Sequence, residues 1–357
     1  IEYHNLVPYA EWMNGSVLLL HRSDYGCCNT LLAEQVGMLG RYTEAFFPEL
    51  VYVRPQGQIE KRDSLEGSAF IDFPVDQTMI YPDYRRNIAE LGKIQSSIDS
   101  VRNDTDITIT SVWLKGYASP EGSYAHNKEL AIGRTAALKR YIQQLYRFEG
   151  DVISTDYEPE DWAGLRYYVE RSNLAHRAEI VTLIDGNLEP DAREWKIKRD
   201  YPMEYSFLLQ NCYPALRHTD YRIAYTIRSY SDVEEIKRIM CGRPQKLDLN
   251  EFYLAAQEYE PGTDEFTEVF ETAVRMFPDD TIANLNAANA AMRRGDLTSA
   301  KRYLAKADDS PEAVYARGAL AIRQKDYDSA RRYLNEAKSL GLEQAGITLE
   351  QLEKGRR

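Results

Sequence analysis

Two hydrophobic periods and one internal repeat divide the chain into three stretches. Residues 1–56 carry short apolar runs, Ser16-Val17-Leu18-Leu19-Leu20 and Leu50-Val51-Tyr52-Val53, separated by polar turns, which predicts strands. The piece is too small to bury a core alone, so it is expected to add strands or a flap to a neighbour, or to end a larger upstream domain. Residues 57–232 mix both periods. Ser68 to Val75 alternates as a half-buried strand would, Tyr84 to about Val101 has the three-and-four spacing of an amphipathic helix, and Ile107 to Leu114 is a second strand. A helix from Asn127 to Leu145 follows, with Leu130, Ala137, Leu138, Tyr141 and Ile142 on its apolar side. Val152-Ile153-Ser154 is a short strand, Asp161 caps a helix running through Val169, Asp200 to Leu216 adds more helix, and Tyr221 to Ile227 closes as a strand. With a helical insertion over about 170–216, this order predicts an α+β domain, a sandwich of one helical layer on a small mixed sheet.

From 245 to 357 the pattern is Ala-rich helix, and it repeats. Phe266, Phe270 and Ala273 recur as Ala300, Leu304 and Ala307, then as Ala330, Leu334 and Ala337. The segment Gly295-Asp296-Leu297-Thr298-Ser299-Ala300 aligns with Lys325-Asp326-Tyr327-Asp328-Ser329-Ala330, and Pro278 and Pro311 punctuate helix ends. The stretch resembles tetratricopeptide repeats, which implies an all-α solenoid of paired helices whose concave face takes peptides or partner proteins. Asn284, Asn286, Asn289, Arg293 and Arg317 are the polar residues expected to line that face; a rigid spacer or a dimer contact is the other use of such repeats.

Composition narrows the function classes. The chain has 357 residues, 43% hydrophobic and 28% charged, which excludes wholesale disorder. A net charge of -12 with no basic tract argues against nucleic acid or anionic lipid as the main partner. No apolar run of about 18 residues is present, so no transmembrane helix is expected. Val17 to Leu20 ahead of Gly26-Cys27 faintly suggests a lipoprotein leader, but four apolar residues followed by His21, Arg22 and Asp24 read as a strand and turn. The chain starts at Ile1, so an upstream segment, with any export signal, is expected to have been removed. Twenty-six Tyr against ten Phe suit half-buried strands and interfaces. Cys27, Cys28, Cys212 and Cys241 form no metal-ligand spacing, and no metal or cofactor is expected.

One stretch carries candidate chemistry. Lys115-Gly116-Tyr117-Ala118-Ser119-Pro120-Glu121-Gly122-Ser123-Tyr124-Ala125-His126-Asn127-Lys128-Glu129-Leu130-Ala131-Ile132-Gly133-Arg134 follows a strand and opens a helix, so backbone amides and Arg134 could meet an anion there. It is similar to the signature of the OmpA-like, peptidoglycan-associating domain family, through Gly116, Gly122, Asn127, Leu130 and Arg134, and the likeness extends over about 66–230. The resemblance implies a site in which a loop Asp and a helix Arg grip the ammonium and carboxylate of a diaminopimelate residue in the wall peptide. Arg134 holds the Arg position. Ser119 stands where the Asp should be, with Glu121 as a substitute carboxylate. Ser119, Glu121, Asn127, Leu130 and Arg134 are therefore the candidate ligand residues, and His126 is expected to line the pocket; Arg134 could equally cap a strand or pair with its own chain, while Gly116 and Gly122 shape the turn.

The acidic run Asp156 to Trp162 lacks calcium-loop alternation and reads as a helix N-terminus. No nucleophile elbow, P-loop, dinucleotide fingerprint or HExxH is present, so catalysis is not expected. The resemblance implies a periplasmic or outer-membrane-associated protein of the Gram-negative envelope that docks to peptidoglycan and recruits other envelope proteins through its repeats. A scaffold or assembly factor without glycan binding is the other reading, favoured by the missing Asp.

Overall fold

The structure, a computed structural model, describes residues 7–8, 10–13, 15–42, 46–58, 60–148 and 151–354. It is mixed α/β and mostly helical. In chain order the elements are β1 (Val17–Tyr25), β2 (Leu31–Arg41), β3 (Lys61–Ala69), α1 (Asn87–Arg102), β4 (Ile107–Tyr117), α2 (Tyr124–Tyr146), β5 (Ile153–Glu158), α3 (Trp162–Arg171), α4 (Arg177–Ile184), α5 (Pro190–Asp200), α6 (Pro202–Asn211), α7 (Tyr213–Leu216) and β6 (Thr219–Ile227). Then come α8 (Val233–Gly242), α9 (Leu249–Ala256), α10 (Asp264–Met276), α11 (Thr281–Arg294), α12 (Leu297–Leu304), α13 (Pro311–Arg323), α14 (Tyr327–Ser339) and α15 (Glu343–Lys354). They form two compact units, one built from residues 59–229 and the other from 1–58 together with 230–357. The N-terminal stretch thus belongs with the C-terminal helices, although the mixed unit follows it directly in sequence.

In the mixed unit the sheet order is β3-β6-β4-β5. β6 pairs antiparallel with both β3 and β4, and β4 pairs parallel with β5. Val112 and Leu114 on β4, Ile153 on β5 and Tyr221, Ile223 and Tyr225 on β6 alternate into one buried face, where Leu91, Ile94 and Ile98 of α1 and Leu138 and Ile142 of α2 cover them. Ser123 and Asp161 cap α2 and α3, each accepting a backbone N–H from three residues on. Helices α3 to α7 enclose a separate small core around Leu165, Ile180, Ile197, Leu208 and Tyr213.

One strand sits earlier than its pattern predicts. β3 covers Lys61–Ala69, because the ladder to β6 runs from Lys61↔Ile227 to Ala69↔Thr219. Phe70 to Pro74 continues without a strand partner and Val75 opens a turn: side chains of α1 take the backbone instead, the Phe70 N–H donating to Glu90 and the Asp72 N–H to Asn87.

In the other unit β1 and β2 make an antiparallel hairpin with most of its residues exposed on both faces. Val17 to Leu20 is strand, as its pattern predicts. Leu50-Val51-Tyr52-Val53 is not: it joins no sheet and lies extended against helices. From α9 to α15 each helix packs on the next. The aligned segments of the repeat adopt the same local structure. Gly295 and Lys325 both take left-handed φ, of 93° and 62°; Asp296 and Asp326 then cap α12 and α14 by accepting from the Ser299 and Ser329 N–H groups. Ala300, Leu304, Ala330 and Leu334 are buried behind those caps. Among the described residues no helix is long and apolar enough to cross a membrane. Cys212 is buried in the small helical core, whereas Cys27, Cys28 and Cys241 are exposed thiols.

Candidate functional site

The loop between β4 and α2 is the structural form of the motif. Register places Gly116 opposite Thr219, so the start of β6 and the residues just before it lie beside this loop, about a hundred positions away in sequence. That juxtaposition brings in Arg217, which no sequence signal singled out. Its Nε donates to Ser119 Oγ at 2.9 Å, and its terminal nitrogen pairs with Glu121. Ser119 is only 3% exposed and serves as an acceptor for this second guanidinium.

Arg134 projects from α2 into the same small pocket. Phe73, Tyr117, Arg134, Arg217, His218 and Thr219 are among its walls. The Arg134 Nε donates to Gln77 O at 3.2 Å and the guanidinium lies 5.0 Å from the centre of the Phe73 ring. Among the described residues no carboxylate forms an ion pair with it. Burial and then the charge of Arg217 pull the Arg134 pKa below its ordinary value, with Asp76 pulling the other way. Arg134 and Arg217 thus share one partly desolvated pocket, with Arg217 also paired to Glu121 at its edge.

The remaining ligand candidates are arranged differently from what the motif implies. Asn127 is 3% exposed, and its amide donates to Glu160 Oε1 at 2.9 Å. Glu160 also accepts from Trp162 Nε1 at 2.8 Å, so the Asn127 amide nitrogen ties α2 to the start of α3. Burial raises the Glu160 pKa against both of those hydrogen bonds. Glu121 is exposed but committed to Arg217, and Leu130 is half-buried. His126 does not line the pocket: it is exposed and pairs with Asp76 at 3.0 Å. Gly122 does hold the turn, with φ of 91°, but Gly116 lies within β4 and is required for a different reason, its closeness to α2.

His218 borders the pocket and stacks on Tyr117 with centroids 4.3 Å apart. Burial lowers its pKa, but the hydrogen bond and charge of Asp220, with Asp161 behind it, carry it above the ordinary 6.5. A folded pKa above the unfolded one means that protonated His218 stabilises the fold fully below 6.5, and that this contribution is lost as pH rises through the folded value. The His218 ring resonance is expected to titrate with a midpoint above 6.5 by NMR and to move down in Asp220→Asn; a midpoint at or below 6.5 contradicts the pairing.

A second site lies in the helical unit. Asn286 grips the backbone of Val53 on both sides, its Oδ1 accepting the N–H at 2.9 Å and its Nδ2 donating to the carbonyl at 2.7 Å. Asn289 Nδ2 donates to Val51 O at 2.7 Å, and the Tyr315 hydroxyl donates to Glu49 O. Tyr52 stacks on Phe270 and meets Phe266 edge-on, with centroids 5.6 and 5.1 Å away. Phe47 lies under Arg293 and Arg323, 5.0 and 4.6 Å from their guanidinium carbons. Asn286, Asn289 and Arg293 therefore do contact an extended segment, and it is this chain's own 46–58. Asn284 and Arg317 do not reach it. Asn284, 1% exposed, donates to Pro278 O and Asp280 O at the start of α11; Arg317 braces the loop before α13 through Asp309 and the carbonyls of Ala307 and Asp308. Tyr315 and Arg323 escaped the sequence reading because they look like ordinary helix-face residues, and Phe266 and Phe270 were legible only as positions of the repeat. No family model matches the chain, and no curated protein matches it.

Proposed function

We propose that this is a non-enzymatic docking protein of the cell envelope, in which an OmpA-like module holds an anionic group between Arg134 and Arg217 and tetratricopeptide-like repeats take an extended protein segment. The observation that carries the first half is the pair of guanidiniums in one pocket, with no carboxylate paired to Arg134 among the described residues. The geometry also refines the ligand. Where the family's loop carboxylate would hold an ammonium, Ser119 accepts from Arg217, so the site favours a carboxylate or comparable anion over a zwitterion. A wall-peptide carboxylate meets that requirement in the periplasm, where the resemblance puts the protein.

Retention on purified peptidoglycan tests this reading. Arg134→Ala and Arg217→Ala are each expected to lower retention about tenfold, the loss of one charge-assisted hydrogen-bonding partner. Retention that survives both substitutions removes the site. The second reading is an assembly scaffold that binds no glycan, favoured by the loop Ser119 and by the segment gripped in the helical unit. A crosslinked protein partner that is lost in Asn286→Ala yet kept in Arg134→Ala would select it.

A further inference from the structure

The helical unit holds residues 46–58 much as a receptor holds a bound peptide. Asn286, Asn289 and Tyr315 read backbone groups and so are tolerant of sequence, while two aromatic side chains five positions apart make the specific contacts, Phe47 with Arg293 and Arg323 and Tyr52 with Phe266 and Phe270. The end of the segment is fastened beside α9, where Arg54 Nε donates to Asn250 Oδ1 at 2.9 Å and the Gln58 N–H to Asp248 Oδ2 at 3.1 Å.

The fit is incomplete at three buried atoms. Asn289 is 1% exposed, yet its Oδ1 accepts no hydrogen bond from the described residues; among these the Tyr52 hydroxyl and the Arg323 Nε are likewise buried without a partner. In an extended chain, residues two apart present their N–H groups on the same side, so a ligand that stayed regular here would donate at position 51 to Asn289 just as Val53 donates to Asn286. Buried groups left unpaired weaken an association more than a good contact strengthens it. The chain's own segment is thus an imperfect occupant of a surface built for an extended peptide.

We infer that residues 46–58 are a displaceable intramolecular occupant, and that the partner displacing them is an extended protein segment with two aromatics five positions apart, the second lacking a hydroxyl, and a backbone N–H offered to Asn289. This rests on the reading of the repeats as a protein-binding surface. In cis the segment is present at high effective concentration, so it keeps the surface closed to weak ligands and admits only those that satisfy the orphaned groups.

Fluorescence anisotropy with a labelled peptide of residues 46–58 carrying Tyr52→Phe tests the inference on the full chain. Phe47→Ala with Tyr52→Ala in the protein is expected to bind the peptide at least about tenfold more tightly than the unmodified chain, because the competitor has been weakened. Adding Asn286→Ala to that variant should remove the binding. Equal affinity for both chains, or no binding to a variant whose circular dichroism matches the unmodified protein, overturns the inference. If the variant does not fold, hydrogen exchange on the unmodified chain decides: excess peptide should speed exchange of the Val53 amide, and an unchanged rate overturns displacement. Peptide binding without any crosslinked partner in the envelope would sink the recruitment reading while leaving the closing device in place, so the two failures are distinguishable.

Discussion

Gly116→Ala is expected to destabilise the mixed unit by about 3 kcal/mol, the upper part of the range for forcing atoms into a packed interior. A Cβ at this position would sit 1.9 Å from Thr135 Oγ1 and 3.3 Å from the Ala131 carbonyl oxygen. Neither can give way easily: Thr135 is fully buried, and its hydroxyl donates to that same carbonyl at 2.7 Å. β4 and α2 would have to separate, and α2 carries Arg134. The unfolding midpoint in urea measures the effect, and adding Thr135→Ala should recover part of it, since the two positions share one space. A midpoint unchanged by Gly116→Ala would mean that the two elements are not in close contact.

Asn87→Ala is the second large effect, about 3 kcal/mol, from the loss of three hydrogen bonds to part-buried backbone groups. Asn87 is fully buried at the start of α1; it accepts the Asp72 N–H at 2.7 Å and donates to Asp72 O at 2.9 Å and Tyr81 O at 2.8 Å. The two bonds to Asp72, with that of the Phe70 N–H to Glu90, stand in for the sheet ladder that Phe70 to Pro74 lacks. The same segment brings Phe73 under Arg134, and Gln77 a little further on accepts from it. Loosening it is therefore expected to weaken anion retention along with stability, measured in parallel by peptidoglycan pull-down and urea titration. Asn87→Asp should not rescue either property, because it replaces a donor by charge facing two carbonyl oxygens. Full retention in a destabilised Asn87→Ala protein would show that Arg134 is positioned by α2 alone.

The legible part of the molecule is the part governed by neighbours in sequence. Helices α1 to α3, the Asp161 cap, the turn at Gly122 and the repeat around Asp296 and Asp326 are decided within a few residues, although α1 starts at Asn87 and α2 at Tyr124, each three residues from where the spacing puts it. The Ser68 to Val75 strand was misplaced because alternation reports a half-buried extended chain, and says nothing of what bonds its backbone. Leu50 to Val53 failed in the same way: the residues are extended and half-buried, but against helices, with Asn286 and Asn289 substituting for a neighbouring strand.

The candidate sites divide along the same line. Arg134 was readable because the helix that carries it follows its motif directly, whereas Arg217 reaches Ser119 only through the pairing of β6 with β4, a contact 98 positions long. Asn127 looked like a ligand residue from its spacing and proved to be an internal tie to Glu160, since position along a helix does not reveal what packs above it. By itself, then, the chain determined its periods, caps, turns and repeat, all short-range preferences of backbone and side chain. Tertiary structure alone decided which charges share a pocket and which segment fills the surface offered by the helices, because both depend on long-range packing that places in contact groups with no local reason to meet.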